Sequence, residues 1–314
     1  MSAVSCESLS SRAAEVALTA VWAQWGVLNP MLLRNASAPV PASILDPEAL
    51  VLASLCLWDS ERRLADVLAW WAARGSGLMS TRRIKSLRPG FPAERTPRLG
   101  QFAAWAHEAG DTRWKADVTE PVPVRAGKGP KELRLEGPAT LLLRLRAGFG
   151  VSAKPDVLAF VVAMDGVALP SKEIARAVSY ADTNVRQAAR DLLAGGFLEQ
   201  ANTFPIAYRS PIGFAHGLVR LLSRHGDDED LPHWIHWPAV YAFLISVAGW
   251  EGTNGAPDPY LLSTQARDLY EEHGWIFERA GLRVPDPARY RGDEYLPAFS
   301  DTLDILSDWI SAQL

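Results

Sequence analysis

The chain has 314 residues, of which 48% are hydrophobic and 22% charged, and its formal net charge is −4. These values are typical of a soluble globular protein of two or three domains, and the acidic balance argues against a generic nucleic-acid coat protein. The cysteines are Cys6 and Cys56, which argues against a disulfide framework and favours a reducing cytoplasm. The N-terminus lacks the basic region and apolar core of a secretory signal.

The first apolar stretch, from Val16 to Leu33, is long enough to raise the question of a membrane span. It is interrupted by Gln24, Asn29 and Pro30, which a span of that length would not tolerate well. The stretch therefore predicts a buried helix, and no membrane contact is expected.

The region around residues 46–98 predicts further helices. Asp46 and Pro47 are typical of an N-cap followed by the first helical position, and Leu64, Val67, Leu68 and Trp71 recur at helical spacing. A short helix is predicted after Ser80. Residues 74–98 carry seven basic side chains and one acidic one. They predict either a second DNA-contacting surface or an ordinary solvated basic face.

The residues after this region divide the chain by composition. Residues 113–154 hold nine basic and four acidic side chains, whereas residues 227–314 hold sixteen acidic side chains and five arginines. Seven tryptophans lie at or before Trp114 and five at or after Trp234. We predict a helical N-terminal domain (1–114), a basic Pro/Gly-rich connector (115–137), a central domain (138–217) and an acidic, Trp-rich helical C-terminal domain (218–314).

The central domain has the element order of a winged helix-turn-helix. An apolar helix after Lys154 is followed by a helix with Ser171 as its expected N-cap, a turn at residues 179–182 and a helix that starts near Asp182. Gly195 and Gly196 end that helix, and residues 197–200 and 204–209 are β-prone. The predicted fold is therefore mainly α, with a small β wing between two helical parts.

Helical angles divide the last of these helices into two faces. Val185, Ala189, Leu192 and Leu193 form the core side. The opposite side chains suit contacts with base edges in the major groove; they are Thr183, Asn184, Arg186, Gln187 and Arg190. Further DNA contacts are predicted at Lys172, Arg176, Tyr180 and Arg209.

Charge sets a limit on this prediction. Residues 171–200 contain four basic and four acidic side chains, and the wing tip has no lysine or arginine. Phosphate contacts supply much of the affinity for DNA, so the positive charge would have to come from Lys172, Arg176, Arg209, the basic connector or the N-terminal part. The alternative is a winged helix that serves only protein contacts or dimerisation.

The motif S-x-E-I-A-R-x-V-x-Y-x-x-x-N-V-R-x-A-x-x-x-L-x-x-x-G-F-L, from Ser171 to Leu198, resembles bacterial winged helix-turn-helix transcriptional regulators. The preceding L-R-L-R-A-G-F-G-V-S-A-K-P-D-V-L resembles a group of them that is similar to abortive-infection-type antitoxins, whose toxins are nucleotidyltransferases. This resemblance, over about sixty residues, implies a repressor that binds double-stranded DNA as a homodimer. It also implies a toxin partner, which we expect the acidic C-terminal domain to bind. The sparse wing charge departs from the family pattern.

Motifs for chemistry are missing from the sequence. It contains no phosphate-binding loop, nucleophile elbow or zinc-binding H-E-x-x-H helix. His233 and His236 are three residues apart and could share a metal, but their tryptophan neighbours favour an aromatic patch. We expect no cofactor, no metal and no enzymatic activity. The hypotheses are thus a DNA-binding regulator, a partner-binding antitoxin and, least favoured, an enzyme with a scattered catalytic set.

Overall fold

The computed structural model describes residues 5–32, 41–93, 98–115, 132–222, 230–250 and 258–313. It is 69% helical with 4% strand, which confirms the predicted mainly α fold with a small β wing. No helix within these ranges is both long and apolar enough to cross a membrane. Most of the predicted basic connector and the acidic run that begins at Asp227 lie outside the described residues.

Within the described residues, five α-helices precede the connector, and two of them start where the sequence predicts. Asp46 caps the second helix by accepting a hydrogen bond from the amide of Ala49 at 3.0 Å, and Ser80 caps the fourth by accepting one from Arg83 at 3.1 Å. The stretch from Val16 is helical, as predicted. The helices are α1 (Cys6–Leu28), α2 (Pro47–Leu57), α3 (Arg63–Arg74), α4 (Thr81–Leu87) and α5 (Leu99–Glu108).

The central domain contains five helices and a three-stranded antiparallel sheet of order β1-β3-β2. The elements are α6 (Leu141–Phe149), α7 (Ala153–Ala163), β1 (Leu169–Pro170), α8 (Ser171–Val178), α9 (Asp182–Ala194), β2 (Glu199–Ala201), β3 (Ala207–Arg209) and α10 (Phe214–Leu222). Strand β1 was not predicted, and the wing strands are shorter than expected. We call this segment, residues 138–222, the winged unit.

One helix start in the winged unit was predicted wrongly. Ser171 is the first residue of α8 and makes no capping hydrogen bond, because Pro170 occupies the N-cap position. Pro170 is extended and pairs with Ala207 in the sheet, so strand β1 runs directly into the helix. The predicted end of α9 is confirmed, since Gly195 is its C-cap and Gly196 has a φ of 75°, which favours glycine.

In the described ranges 230–250 and 258–313, the structure has four further α-helices: α11 (Trp237–Ala248), α12 (Pro259–His273), α13 (Trp275–Arg279) and α14 (Tyr295–Gln313). Helix α11 packs against α1 and α2, and α14 also packs against α1. Trp25 of α1 and Trp237 of α11 are both fully buried in the same core. The N-terminal and C-terminal helical parts, predicted as separate domains, therefore share one apolar core. We call α1–α5 with α11–α14 the helical body.

A short extended segment joins the helical body to the winged unit. The amide of Ile44 donates a hydrogen bond to the carbonyl of His233 at 2.8 Å, and the amide of Ala42 donates one to the carbonyl of Gln313 at 2.9 Å. The Ile44 side chain is buried in the core of the winged unit, whereas Leu143 of α6 is buried in that of the helical body. The two cores thus exchange side chains across the junction.

Candidate nucleic-acid interface

The turn between α8 and α9 places α9 on the outside of the winged unit. Ser179 adopts a left-handed conformation (φ 57°, ψ 44°), and the amide of Tyr180 bonds the carbonyl of Ala175 at 3.1 Å. Val178 at the end of α8 and Val185 in α9 are fully buried. Burial of these two side chains fixes which face of α9 turns inward.

The opposite face of α9 carries the side chains predicted to contact bases. Thr183, Arg186, Gln187 and Arg190 are exposed or half-buried at the surface, as is Asn184. We call these five residues the α9 face. On the inner side Ala188 is buried together with the predicted core residues, while Leu193 is only half-buried. The helical angles thus predicted the outer face well and the edge of the inner face less well.

Carboxylates on α9 itself bind two residues of the α9 face. Arg186 forms an ion pair with Asp182 one turn earlier, and Gln187 donates to Asp191 at 3.0 Å. Hydrogen bonds from Arg186 and from the Ser171 hydroxyl lower the pKa of Asp182, and a hydrogen bond from Lys154 lowers that of Asp191. Exchange of such exposed pairs for contacts with DNA costs little free energy.

The other predicted contacts lie in different surroundings. Lys172 and Arg176 are exposed on α8, and Arg209 of β3 pairs with Glu199 of β2 at 3.3 Å. Tyr180 is half-buried, and its hydroxyl has no hydrogen-bond partner among the described residues. Burial raises the pKa of this phenol, and Asp156 raises it further. The structure therefore does not bring Tyr180 to the α9 face.

The wing presents apolar side chains where a phosphate contact would need basic ones. Phe204 is 100% exposed, Ile206 is 50% exposed, and Ile212, just after β3, is 94% exposed. Large exposed apolar side chains grouped on one surface favour contact with another protein.

A buried ionic cluster, which was not predicted, lies between the helical body and the winged unit. Arg83 of α4 donates to Asp46 at 2.5 and 2.7 Å and to Glu48 at 2.7 Å. Its side chain is almost completely buried, so Arg83 does not belong to the basic face predicted over residues 74–98, although Arg74, Arg82, Lys85 and Arg88 are exposed. Burial by itself would raise the pKa of Asp46, but the charge and hydrogen bonds of Arg83 lower it.

A second buried arginine completes this ionic cluster. Arg146 of α6 bonds Glu48 at 2.7 Å and Asp156 of α7 at 2.6 and 2.8 Å. The cluster therefore contains two guanidinium groups and three carboxylates, all nearly inaccessible to solvent. Arg146 is one of the nine basic residues counted over residues 113–154, and its burial removes it from the charge that the surface can offer to a partner.

The ionic cluster and a histidine of the helical body both bind the end of α8. Arg83 donates from Nε to the carbonyl of Val178 at 3.0 Å. His236 is the N-cap of α11, and its Nε2 lies 3.2 Å from the carbonyl oxygen of Arg176. Its Nδ1 accepts a hydrogen bond from the amide of Ala239. The Nδ1 contact assigns the proton to Nε2, which donates to α8. The position of the helix-turn-helix is thus set by side chains of the helical body.

No protein family, curated protein or solved structure matches this chain. The resemblance of the motif at residues 171–198 to winged helix-turn-helix regulators therefore has no support from these comparisons. A function for the chain has to be inferred from the geometry of the winged unit and of its junction with the helical body.

The two histidines considered as metal ligands have different roles. His236 makes the contacts to α8 described above, whereas His233 is exposed and its backbone bridges to Ser43. Within the described ranges, no group of three or more His, Cys, Asp or Glu side chains is arranged to hold a metal ion.

The burial of His236 predicts that the stability of the protein depends on pH. Burial lowers its pKa to about 4, so the unfolded chain takes up a proton between pH 6.5 and 4 that the folded protein does not. We expect the free energy of unfolding to fall by up to about 3 kcal/mol across this range. Urea unfolding at pH 7 and pH 4.5 measures the change. His236→Gln, which keeps a donor for Arg176, should remove most of it, and an equal pH dependence in both proteins would contradict the assignment.

Proposed function

We propose that this protein is a sequence-specific DNA-binding transcriptional regulator that inserts α9 into the major groove. The observation that supports it most is the row of Thr183, Arg186 and Gln187 on the outer face of the second helix of a helix-turn-helix. Arginine can donate two hydrogen bonds to guanine, and glutamine can pair with adenine.

The distribution of charge favours binding as a homodimer. Residues 171–200 hold four basic and four acidic side chains, so the helix-turn-helix of one copy offers little net charge to phosphates. Two copies would double the contacts and place two α9 helices on half-sites about 34 Å apart. The exposed apolar side chains of the wing supply a surface for such a contact between copies.

Binding to the DNA upstream of the protein's own gene tests the proposal. By fluorescence anisotropy, Arg186→Ala and Gln187→Ala should each weaken binding by about 5- to 150-fold, which corresponds to about 1–3 kcal/mol per lost base contact. Binding to random DNA of equal length should change less, because phosphate contacts carry no sequence information.

The matched control is Arg289→Ala, since the Arg289 side chain is 81% exposed and lies in the helical body. It removes the same charge as Arg186→Ala from a residue outside the winged unit. If the wild-type protein binds upstream and random DNA equally, it does not act as a sequence-specific regulator. If Arg289→Ala weakens binding as much as Arg186→Ala, α9 is not the recognition helix.

A second candidate function is binding of a basic protein, as an antitoxin binds its toxin. Residues 258–313 carry eleven carboxylates and five arginines, and Glu271, Glu272 and Glu278 lie at the surface on α12 and α13. Charge of this kind steers association with a basic partner and weakens as salt is added. A salt-sensitive complex with the product of a neighbouring gene, formed without DNA, would favour this function.

A further inference from the structure

A cleft of about 310 Å³ lies between the winged unit and the helical body. Phe160, Met164 and Leu169 of the winged unit line it together with Trp234, Trp275 and Trp309. Its volume is at the lower end of the range for small-molecule sites, and such sites are mostly apolar with a few charged groups. Several aromatic side chains in so small a space favour a flat, aromatic ligand.

Opposite charges line the two sides of the cleft. Glu173 lies on α8 of the winged unit, one helical turn before Ala177, which also lines the cleft. Arg279 lies at the end of α13 in the helical body, with its guanidinium carbon 5.7 Å from the centre of the Trp275 ring. Arginine binds a carboxylate through two parallel hydrogen bonds, and a carboxylate such as Glu173 accepts from a hydroxyl or amino group.

The aromatic lining of the cleft is held by contacts within the protein. The ring of Trp234 packs edge-on against that of Phe160, with 5.2 Å between the ring centres, and both side chains line the cleft. A ligand ring can pack against these aromatic side chains.

We propose that this cleft binds a small, planar aromatic carboxylic acid that carries a hydroxyl or amino group. The carboxylate binds Arg279, the ring lies among the tryptophans, and the donor group faces Glu173. Such a ligand joins α8 to α13 across the junction. A change in the affinity for DNA when the ligand binds would rest on the proposed function. Binding of the ligand to the protein without DNA does not rest on it.

Isothermal titration of the full-length protein with the monohydroxybenzoates, without DNA, tests the site. We expect at least one isomer to bind with a Kd at or below about 1 mM. Arg279→Gln should weaken that binding at least tenfold, and Arg289→Gln should leave it unchanged. The corresponding benzamide, which lacks the anion, should bind the wild-type protein about as weakly as the acid binds Arg279→Gln.

Three results would overturn the proposal: no saturable binding by any isomer, equal effects of the two arginine substitutions, or equal affinity for acid and amide. Thermal unfolding of each variant shows whether it is folded. A ligand that binds as described but leaves the affinity for upstream DNA unchanged would confirm the site and reject only its regulatory effect. If the wild-type protein binds the hydroxybenzoate as expected but does not bind upstream DNA specifically, the site stands and the proposed function is rejected.

Discussion

Replacement of Arg146 by methionine is expected to lower the free energy of unfolding by about 3–5 kcal/mol, the cost of leaving buried charge without a partner. Arg146 is bonded to both Glu48 and Asp156. Without it, one guanidinium group would remain among three buried carboxylates. Urea unfolding at pH 7 measures the loss. The deficit should shrink at lower pH, because protonation of a carboxylate removes part of the excess negative charge.

Two further variants separate charge imbalance from loss of packing. Arg146→Met combined with Asp156→Leu restores the charge balance of the wild-type cluster, and replacement of a whole buried pair is often nearly neutral. The double variant should therefore be more stable than Arg146→Met alone. The surface control is Arg98→Met, whose partner Asp59 is 80% exposed, so its cost should stay below about 1 kcal/mol. If Arg146→Met costs no more than Arg98→Met, the ionic cluster does not stabilise the fold.

A chain that ends at Leu222 is expected to lose the cooperative folding of α1–α5. Every residue of α2 is buried, and this helix is covered in part by α11. Trp25 and Trp71 are fully buried in the core that α11–α14 complete, and they pack against each other at 5.8 Å. Removal of α11–α14 exposes a large apolar surface to water, and the lost burial far exceeds the net stability of a typical domain.

Near-ultraviolet circular dichroism and quenching of tryptophan fluorescence by acrylamide measure the effect. The truncated chain should show weak aromatic signals and accessible tryptophans. A matched control in the full chain is Trp237→Ala, which should cost about 3–5 kcal/mol but preserve a cooperative transition. A truncated chain that unfolds cooperatively with shielded tryptophans would show that the N-terminal helices form a core of their own. The expected result also means that truncation cannot separate DNA binding from partner binding.

The helix-turn-helix is anchored to the helical body. Arg83 and His236 bond the carbonyls at the end of α8, next to the turn that leads to α9. A change at the junction, whether protonation, substitution or a ligand in the cleft, therefore acts close to the α9 face. This arrangement gives a physical path from the helical body to the proposed recognition helix.

Local features of the chain were predictable because they depend on neighbours in sequence. Capping geometry predicts the start of α2 at Asp46 and Pro47 and the glycine end of α9. Helical angle predicts that Arg186 and Gln187 point outward. Where the prediction failed locally, at Ser171, the cause was the pairing of Pro170 with Ala207, a residue far along the chain.

By itself, then, the sequence determined the mainly α fold, the order of elements in the winged unit and the outer face of α9, since short-range hydrogen bonding and periodicity encode them. Only the tertiary structure decided the rest. Asp46 and Glu48 look like an ordinary helix start, yet they bind Arg83 and Arg146, which lie 37 and 98 residues away from them. The same is true of the shared core, the contacts of His236 with α8 and the cleft. They depend on which distant segments of the chain pack together and exclude water, and a local sequence pattern does not specify this.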